Sequence, residues 1–318
     1  RWLARAPGPL GRFGSRRVVD SGRAAVRTMP SLLVLDGALR AWAGDATDRG
    51  YLAELARRAA IDAWAATEIR RRRPRIVIAS SLAARRTFAA ARAVGARTVL
   101  VLDFPLLRVL HRDLDRAAAV WPERRFLQRF RAPSWAIARQ EAERVLADLV
   151  IVRGAYAHAL CLADGISEAR LARLPERSEP GFARASATAT GRLRLAGLAA
   201  ARHGVDTALA AARMLGMTLV VRVGDGSEPG DLASQPGVAT DGGPVDAVIC
   251  PAICESYPPE LRTHALPVIA SPYASADGRG PDPYDSRAFA QAIATALTTV
   301  PQALPPIASL QQRLAALA

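Results

Sequence analysis

The chain has no lysine and no asparagine, and all 43 of its basic residues other than histidine are arginine. Together with abundant alanine this looks like a GC-rich coding bias, so much of the net charge of +14 is compositional. Arginine stays charged and presents a planar fork that suits phosphate. A basic surface can meet anionic lipid, nucleic acid or nucleotide phosphates; the plain alternative is solvated arginine on helix faces. The longest run, Arg70–Arg73, ends a helix-like segment, where cations complement the helix dipole. Cys161, Cys250 and Cys254 are too few for a disulfide framework. The CxxxC spacing of the last two has no second pair or histidine cluster beside it and reads as small buried residues, which fits a reducing cytoplasm. Four histidines leave little material for zinc sites or hydrolase triads, and GxSxG, HExxH and P-loop patterns are missing. Aromatics make up 5% of the chain and do not interleave with arginine, which argues against single-stranded nucleic acid. No apolar run approaches the roughly 18 residues of a membrane span, and no h-region near the start suggests a signal peptide. The chain opens on Arg1 rather than Met, so a trimmed N-terminus lacking a first element is expected.

What is present is a β/α alternation. The 318 residues suggest about two domains. Strand-like runs are expected at 31–36, 75–80, 97–103, 147–152, 192–197, 218–224, 246–250 and 267–271. Helices are expected at 50–73, 82–94 (with Gly95 as C-cap), 133–146, 206–215 and 286–297 (with Ser286 as N-cap). Continuous Val/Ile/Leu runs between amphipathic helices indicate parallel sheets buried on both faces. Periodicity disappears over 175–191, a stretch rich in Pro, Gly, Ser and Ala that reads as a linker. The expected fold class is α/β, with an N-terminal domain over 1–174 and a C-terminal domain over 192–318. Ligands of such domains bind beyond the carboxyl ends of the strands.

Four stretches could carry chemistry. In GLAAARHG (197–204) a strand ends and a helix follows, so helix-start amides could receive a phosphate, with Arg202 or His203 adding donors. An ordinary tight turn would look the same. In VGDGSEPGD (223–231), Gly224 and Gly226 let the backbone approach a ligand, but Pro229 breaks the spacing of a dinucleotide fingerprint. In CPAICESYPPE (250–260), Glu255 could accept hydrogen bonds from sugar hydroxyls, or it is a solvated loop residue. In HRDLDR (111–116), Asp113 and Asp115 form a DxD pattern of the kind that holds Mg²⁺ or Mn²⁺. Arg112 and Arg116 beside it favour a salt-bridged surface instead. Asp103 and His111 follow the third strand-like run and are expected near the carboxyl edge of the N-terminal sheet.

In order, RPRIVIASS (73–81), EAERVLADLVIVRGAYAHALCLADGI (141–166), RLRLAGLAAARHGVDTALAAARML (192–215), LVVRVGDGSEP (219–229) and DAVICPAICESYPPELRTHALPVIAS (246–271) resemble the family 4 glycosyltransferases. The resemblance implies two Rossmann-like β/α/β domains facing a cleft, the GT-B architecture. It implies transfer of a sugar from a UDP- or GDP-sugar donor, with retention, no required metal and no cofactor. Gly197 and Gly204 would frame the diphosphate loop. Leu198 stands where the family has Arg, and His203 where it has Lys, which leaves Arg202 as the nearest replacement cation. Glu255 matches the first of the family's paired glutamates, which contacts the transferred sugar. Thr263 stands at the second, which binds ribose. Gly224, Ser256 and Tyr257 complete the donor side, and Asp103 or His111 would face the acceptor, whether glycan, lipid or small molecule. Losing two charge-assisted contacts could weaken donor binding by several kcal/mol, at about 1.5–3 each. A catalytically degenerate GT-B-like binding protein is therefore the alternative. A sugar-nucleotide epimerase is a third, poorly served by so few histidines. The expected place is the cytoplasm, with peripheral contact to an anionic membrane through the Arg-rich N-terminal domain as an option.

Overall fold

The computed structural model describes residues 30–44, 47–103, 106–123, 127–128, 131–174, 189–223, 231–254, 266–275 and 278–298. Its first strands are β1 (Ile76–Ser80), β2 (Arg97–Val101), β3 (Leu149–Val152) and β4 (Leu171–Arg173), all parallel in the order β1-β2-β3-β4. A second parallel sheet holds β5 (Arg192–Leu198), β6 (Thr218–Arg222), β7 (Val238–Ala239), β8 (Ala247–Cys250) and β9 (Val268–Ala270), in the order β7-β6-β5-β8-β9. The connecting helices are α1 (Pro30–Ala43), α2 (Thr47–Arg72), α3 (Arg85–Ala93), α4 (Leu107–Val120), α5 (Ser134–Leu146), α6 (Ala155–Ala163), α7 (Val205–Met214) and α8 (Ser286–Thr298). The two sheets lie on either side of the expected linker, most of which falls outside the described residues.

The α/β reading holds because parallel strands must be covered on both faces. All four residues of β3 (LVIV) and of β8 (AVIC) are buried. One core gathers Phe88, Leu100, Val150, Val152, Cys161 and Leu171; the other gathers Leu193, Leu219, Ile249, Phe289 and Ile293. Cys161 and Cys250 are fully buried and Cys254 is half-buried. Gly95, at φ +78, closes α3 as expected, and Ala96 N–H returns to Ala91 O at 2.9 Å.

Two expectations are corrected. Residues 31–36 form helix rather than strand, as the start of α1. Pro30 occupies the first helical position, where its missing N–H does no harm, and the apolar run SLLVL is too short to tell a strand from a helix by period. At the last helix Ser286 is already helical, and the cap is Asp285, whose carboxylate accepts Ala288 N–H at 2.9 Å.

The turn after β1 is held by charge. Leu82 adopts φ +67, a left-handed conformation that costs a side-chain-bearing residue about 1–2 kcal/mol. Glu143 of α5 offsets it, accepting the N–H groups of Leu82 (2.6 Å), Ala84 (2.9 Å) and Arg85 (3.1 Å). Asp62 of α2 accepts Arg86 N–H (2.9 Å) and Thr87 N–H (2.8 Å). Five amides around the start of α3 are thereby satisfied by two fully buried carboxylates, and Arg139 pairs with both. Burial pushes the Glu143 carboxyl up, against the pull of the amides and of Arg139. Removing one member strands buried partners, so Glu143→Ala is expected to lower the unfolding free energy by about 3–5 kcal/mol. Urea titration followed by circular dichroism measures it, and a loss under 1 kcal/mol contradicts the network's role.

Candidate functional site

The order β7-β6-β5-β8-β9 reverses direction between β5 and β8. The carboxyl ends of those two strands flank a topological switch point, where open α/β sheets bind ligands. Of the sequence candidates, Gly197 is the second-last residue of β5, and Arg202, His203 and Gly204 stand in the turn from β5 to α7, on one side of that point. The segment after β8, Pro251–Cys254, stands on the other.

Both glycines are needed for geometric reasons. Gly204 is the N-cap of α7 at φ +74, and a Cβ there would overlap the Pro251 carbonyl oxygen. Gly197 has φ +84, and its Cβ would lie 2.9 Å from His203 Nδ1. His203 is buried and packs against Gly197. Ile253 N–H donates to Arg202 O at 3.1 Å, so the two flanks are joined through the backbone. The ladder of α7 begins with Ala208 N–H to Gly204 O (2.9 Å), and the amides before it lie outside the ladder at the positive end of the helix. Asp206 also sits in this first turn, a carboxylate that competes with any anion there. The sequence carries a visible signal of it, an acidic residue two positions before Ala208, the first ladder amide.

Gly224, Glu255, Ser256, Tyr257 and Thr263 lie outside the described residues. Asp103 stands just past β2, as expected. Arg58 of α2 reaches Asp103 Oδ2 with both terminal nitrogens at 3.4 Å and donates to Ser81 O at 2.8 Å. His111 is on α4, and its Nε2 accepts Ala132 N–H at 2.9 Å, which requires the neutral ring. Burial first, and the Arg131 guanidinium second, lower its pKa. The nitrogen a catalytic base would use is thus already engaged.

The DxD residues part company. Asp115 is exposed and pairs with Arg131, as a salt-bridged surface requires. Asp113 corrects that reading: its side chain is only 4% exposed. It is covered because α4 packs onto the second sheet's loops, where Leu114, Ala117 and Leu127 join Ile253, with Trp121 and Tyr284 at the edge. Arg112 Nη2 lies 3.4 Å from Asp113 Oδ1 and 3.1 Å from Tyr156 Oη. Tyr156 meets Tyr273 edge-on at 4.8 Å, and Trp121 meets Tyr284 at 4.9 Å. Arg116 stacks over Tyr284 at 4.7 Å and pairs with Asp282. Burial raises the Asp113 pKa to about 6, against the pull of Arg112 and Arg116. This seam joins segments beyond the carboxyl ends of β2, β3, β8 and β9, so it borders the switch point. No sequence signal marks it, since its members are far apart in the chain.

Among the described residues no group of three or more His, Cys, Asp or Glu gathers as a metal site. Nor is any described helix long and apolar enough to cross a membrane. Among the described residues, cavities lie between α1 and α2 (about 320 Å³) and between α2 and the edge of β1 (about 390 Å³), away from the switch point.

No family model matches the chain, and no curated protein matches it. Solved structures that it resembles include the glycotransferase of kitacinnamycin, at 15% identity and a TM-score of 0.36 over 91% of this chain and 79% of that one. They also include CalG4, the calicheamicin glycosyltransferase, at 14% identity and a TM-score of 0.39 over 86% and 76%.

The close approach at the switch point has a measurable consequence. Gly216 also has a left-handed φ, +65, but open space where a Cβ would go. Gly216→Ala is expected to cost about 1–2 kcal/mol through backbone strain alone. Gly204→Ala should exceed that by roughly 1–3 kcal/mol, because it also overpacks the Pro251 backbone. Parallel denaturant titrations of the two variants check the difference; equal losses contradict it.

Proposed function

We propose that this chain is a GT-B glycosyltransferase of the family 4 type, which transfers a sugar from a nucleoside diphosphate to a hydroxyl acceptor with retention and without a metal. The observation that carries the reading is the placement of its two most informative motifs. The Gly197–Gly204 turn and the segment leading to Glu255 converge on the two sides of one switch point, joined by the Ile253–Arg202 bond. A diphosphate set there would meet the helix-start amides of α7, with Arg202 and His203 beside it. Charge building on the leaving phosphate oxygen would be stabilised by donors already in place, the usual source of the largest rate effect in such a site. Glu255 would orient the donor sugar through its hydroxyls. In this reading Asp103 is an acceptor-side residue steadied by Arg58, and His111, with Nε2 engaged, supports α4 instead. The donor is a UDP- or GDP-sugar, the acceptor a glycan, lipid or small molecule, and the site of action the cytoplasm.

A second reading is a GT-B-like protein that binds a nucleotide or a partner without transferring sugar. Specific residues favour it: Leu198, His203 and Thr263 replace charged family residues, and Asp206 places a negative charge at the phosphate end of α7.

Thermal unfolding in the presence of UDP and GDP tests the donor site. Nucleotide at about a hundred times its dissociation constant stabilises the folded state by about 2.7 kcal/mol, which is read as a rise in Tm. The rise is expected in the native chain and should be lost in Glu255→Ala and in Arg202→Ala. No rise with either nucleotide overturns both readings as nucleotide binders; a rise without sugar transfer selects the second.

A further inference from the structure

The seam around Asp113 is more than packing between two layers. Its residues come from α4 and α6 on one side, and from the loops after β8, after β9 and before α8 on the other. These segments lie beyond the carboxyl ends of β2, β3, β8 and β9, so the seam borders the crevice at the switch point. Most of the seam consists of paired rings and exposed arginine contacts, which re-form readily. Asp113 is the exception, a carboxylate whose side chain is almost wholly covered.

We propose that Asp113 is a proton-operated positioning residue: protonated, it lets the two sides of the seam dock, and ionised, it loosens them.

The groups facing it are known from each packed element. Arg112 and Arg116 approach from its own helix, Arg112 at 3.4 Å. Tyr156 comes from α6, donates its hydroxyl to the Asp113 carboxylate and accepts from Arg112 Nη2. Tyr273, after β9, and Tyr284, before α8, come from the other side, with Cys254 near Tyr284 and Asp282 on Arg116. The two arginines and the Tyr156 hydroxyl stabilise the carboxylate, and burial disfavours it more. Burial is therefore the dominant influence, and the cover from Tyr273 and Tyr284 exists only while the seam is closed. When the two sides part, water reaches Asp113 and its pKa returns toward the ordinary carboxylate value.

The sign follows. A pKa raised to about 6 in the docked form means that docking binds a proton. Docking is therefore strongest where Asp113 is protonated in the closed form and weakens as pH rises through about 6. Taking 3.8 for the open form and about 6 for the closed form, the docking constant falls about tenfold between pH 5 and pH 8. As regulation of a transfer site this rests on the proposed function; as a property of the seam it does not.

Amide hydrogen exchange of the full chain without nucleotide, corrected for the intrinsic pH dependence of exchange, tests it. Peptides covering 107–120 and 272–285 should be about tenfold better protected near pH 5 than near pH 8. Asp113→Asn, neutral and nearly isosteric, should remove the pH dependence and keep the protected level throughout. Arg112→Gln withdraws the nearer stabilising cation, so it should move the midpoint upward by about 1 pH unit. Circular dichroism confirms that each variant is folded, and Arg112→Gln alone decides the matter if Asp113→Asn is not. Protection that does not change with pH in the native chain overturns the proposal. So does a transition that persists unchanged in Asp113→Asn, or one that Arg112→Gln leaves in place. A seam that responds while no nucleotide raises Tm would leave the proton switch standing and remove the transferase reading; the reverse pattern removes only the switch.

Discussion

The contact between Gly204 and the carbonyl of Pro251 is the constraint on which the site depends. It brings the start of α7 against the exit of β8, so the two flanks of the switch point sit at backbone contact distance. Any side chain at 204 would push them apart. Gly197 does the same one step earlier, letting His203 lie over the strand exit. The Ile253–Arg202 bond then fixes the register of the two loops. The space beside each glycine is taken by protein, His203 at 197 and Pro251 at 204, so the backbone groups an anion could meet here are the helix-start amides of α7.

The first sheet solves a related problem with charge. The turn after β1 carries a left-handed Leu82 and a helix start with unmatched amides, and it has no glycine to ease either. Two buried carboxylates and one arginine satisfy it instead. The arrangement is costly to bury and more costly to break, so it favours one geometry of the β1–α3 corner over looser packings. Asp103 is drawn into the same region through Arg58, which also holds Ser81 O.

Much of the scaffold is legible in the sequence. The runs IVIAS, RTVLV, LVIV, TLVVR and AVIC announce buried parallel strands because both faces must be apolar. The strands β4 and β7, three and two residues long, have no such run and went unread. SLLVLD looked like a strand because five apolar or small residues in a row satisfy either period, and Pro30 was the neglected clue. The glycines at 197 and 204 were legible as a ligand turn, but the reason for Gly204 is a proline 47 positions away in sequence and lies in the tertiary structure alone. Asp113, Asp62 and Glu143 were unreadable in a stronger sense. Each sits among arginines in a helix, a pattern that usually means a solvated face, and only packing reveals that these three are buried.

The central claim is that a nucleoside diphosphate binds at the β5/β8 switch point, not in the cavities beside α2. Photoaffinity labelling with azido-substituted uridine and guanosine diphosphates, followed by peptide mass spectrometry, tests it most directly. The account expects saturable labelling, competed by the unmodified nucleotide, in peptides covering 197–207 or 250–260. Competed labelling confined to peptides covering 50–87, the α2–β1 groove, would contradict it.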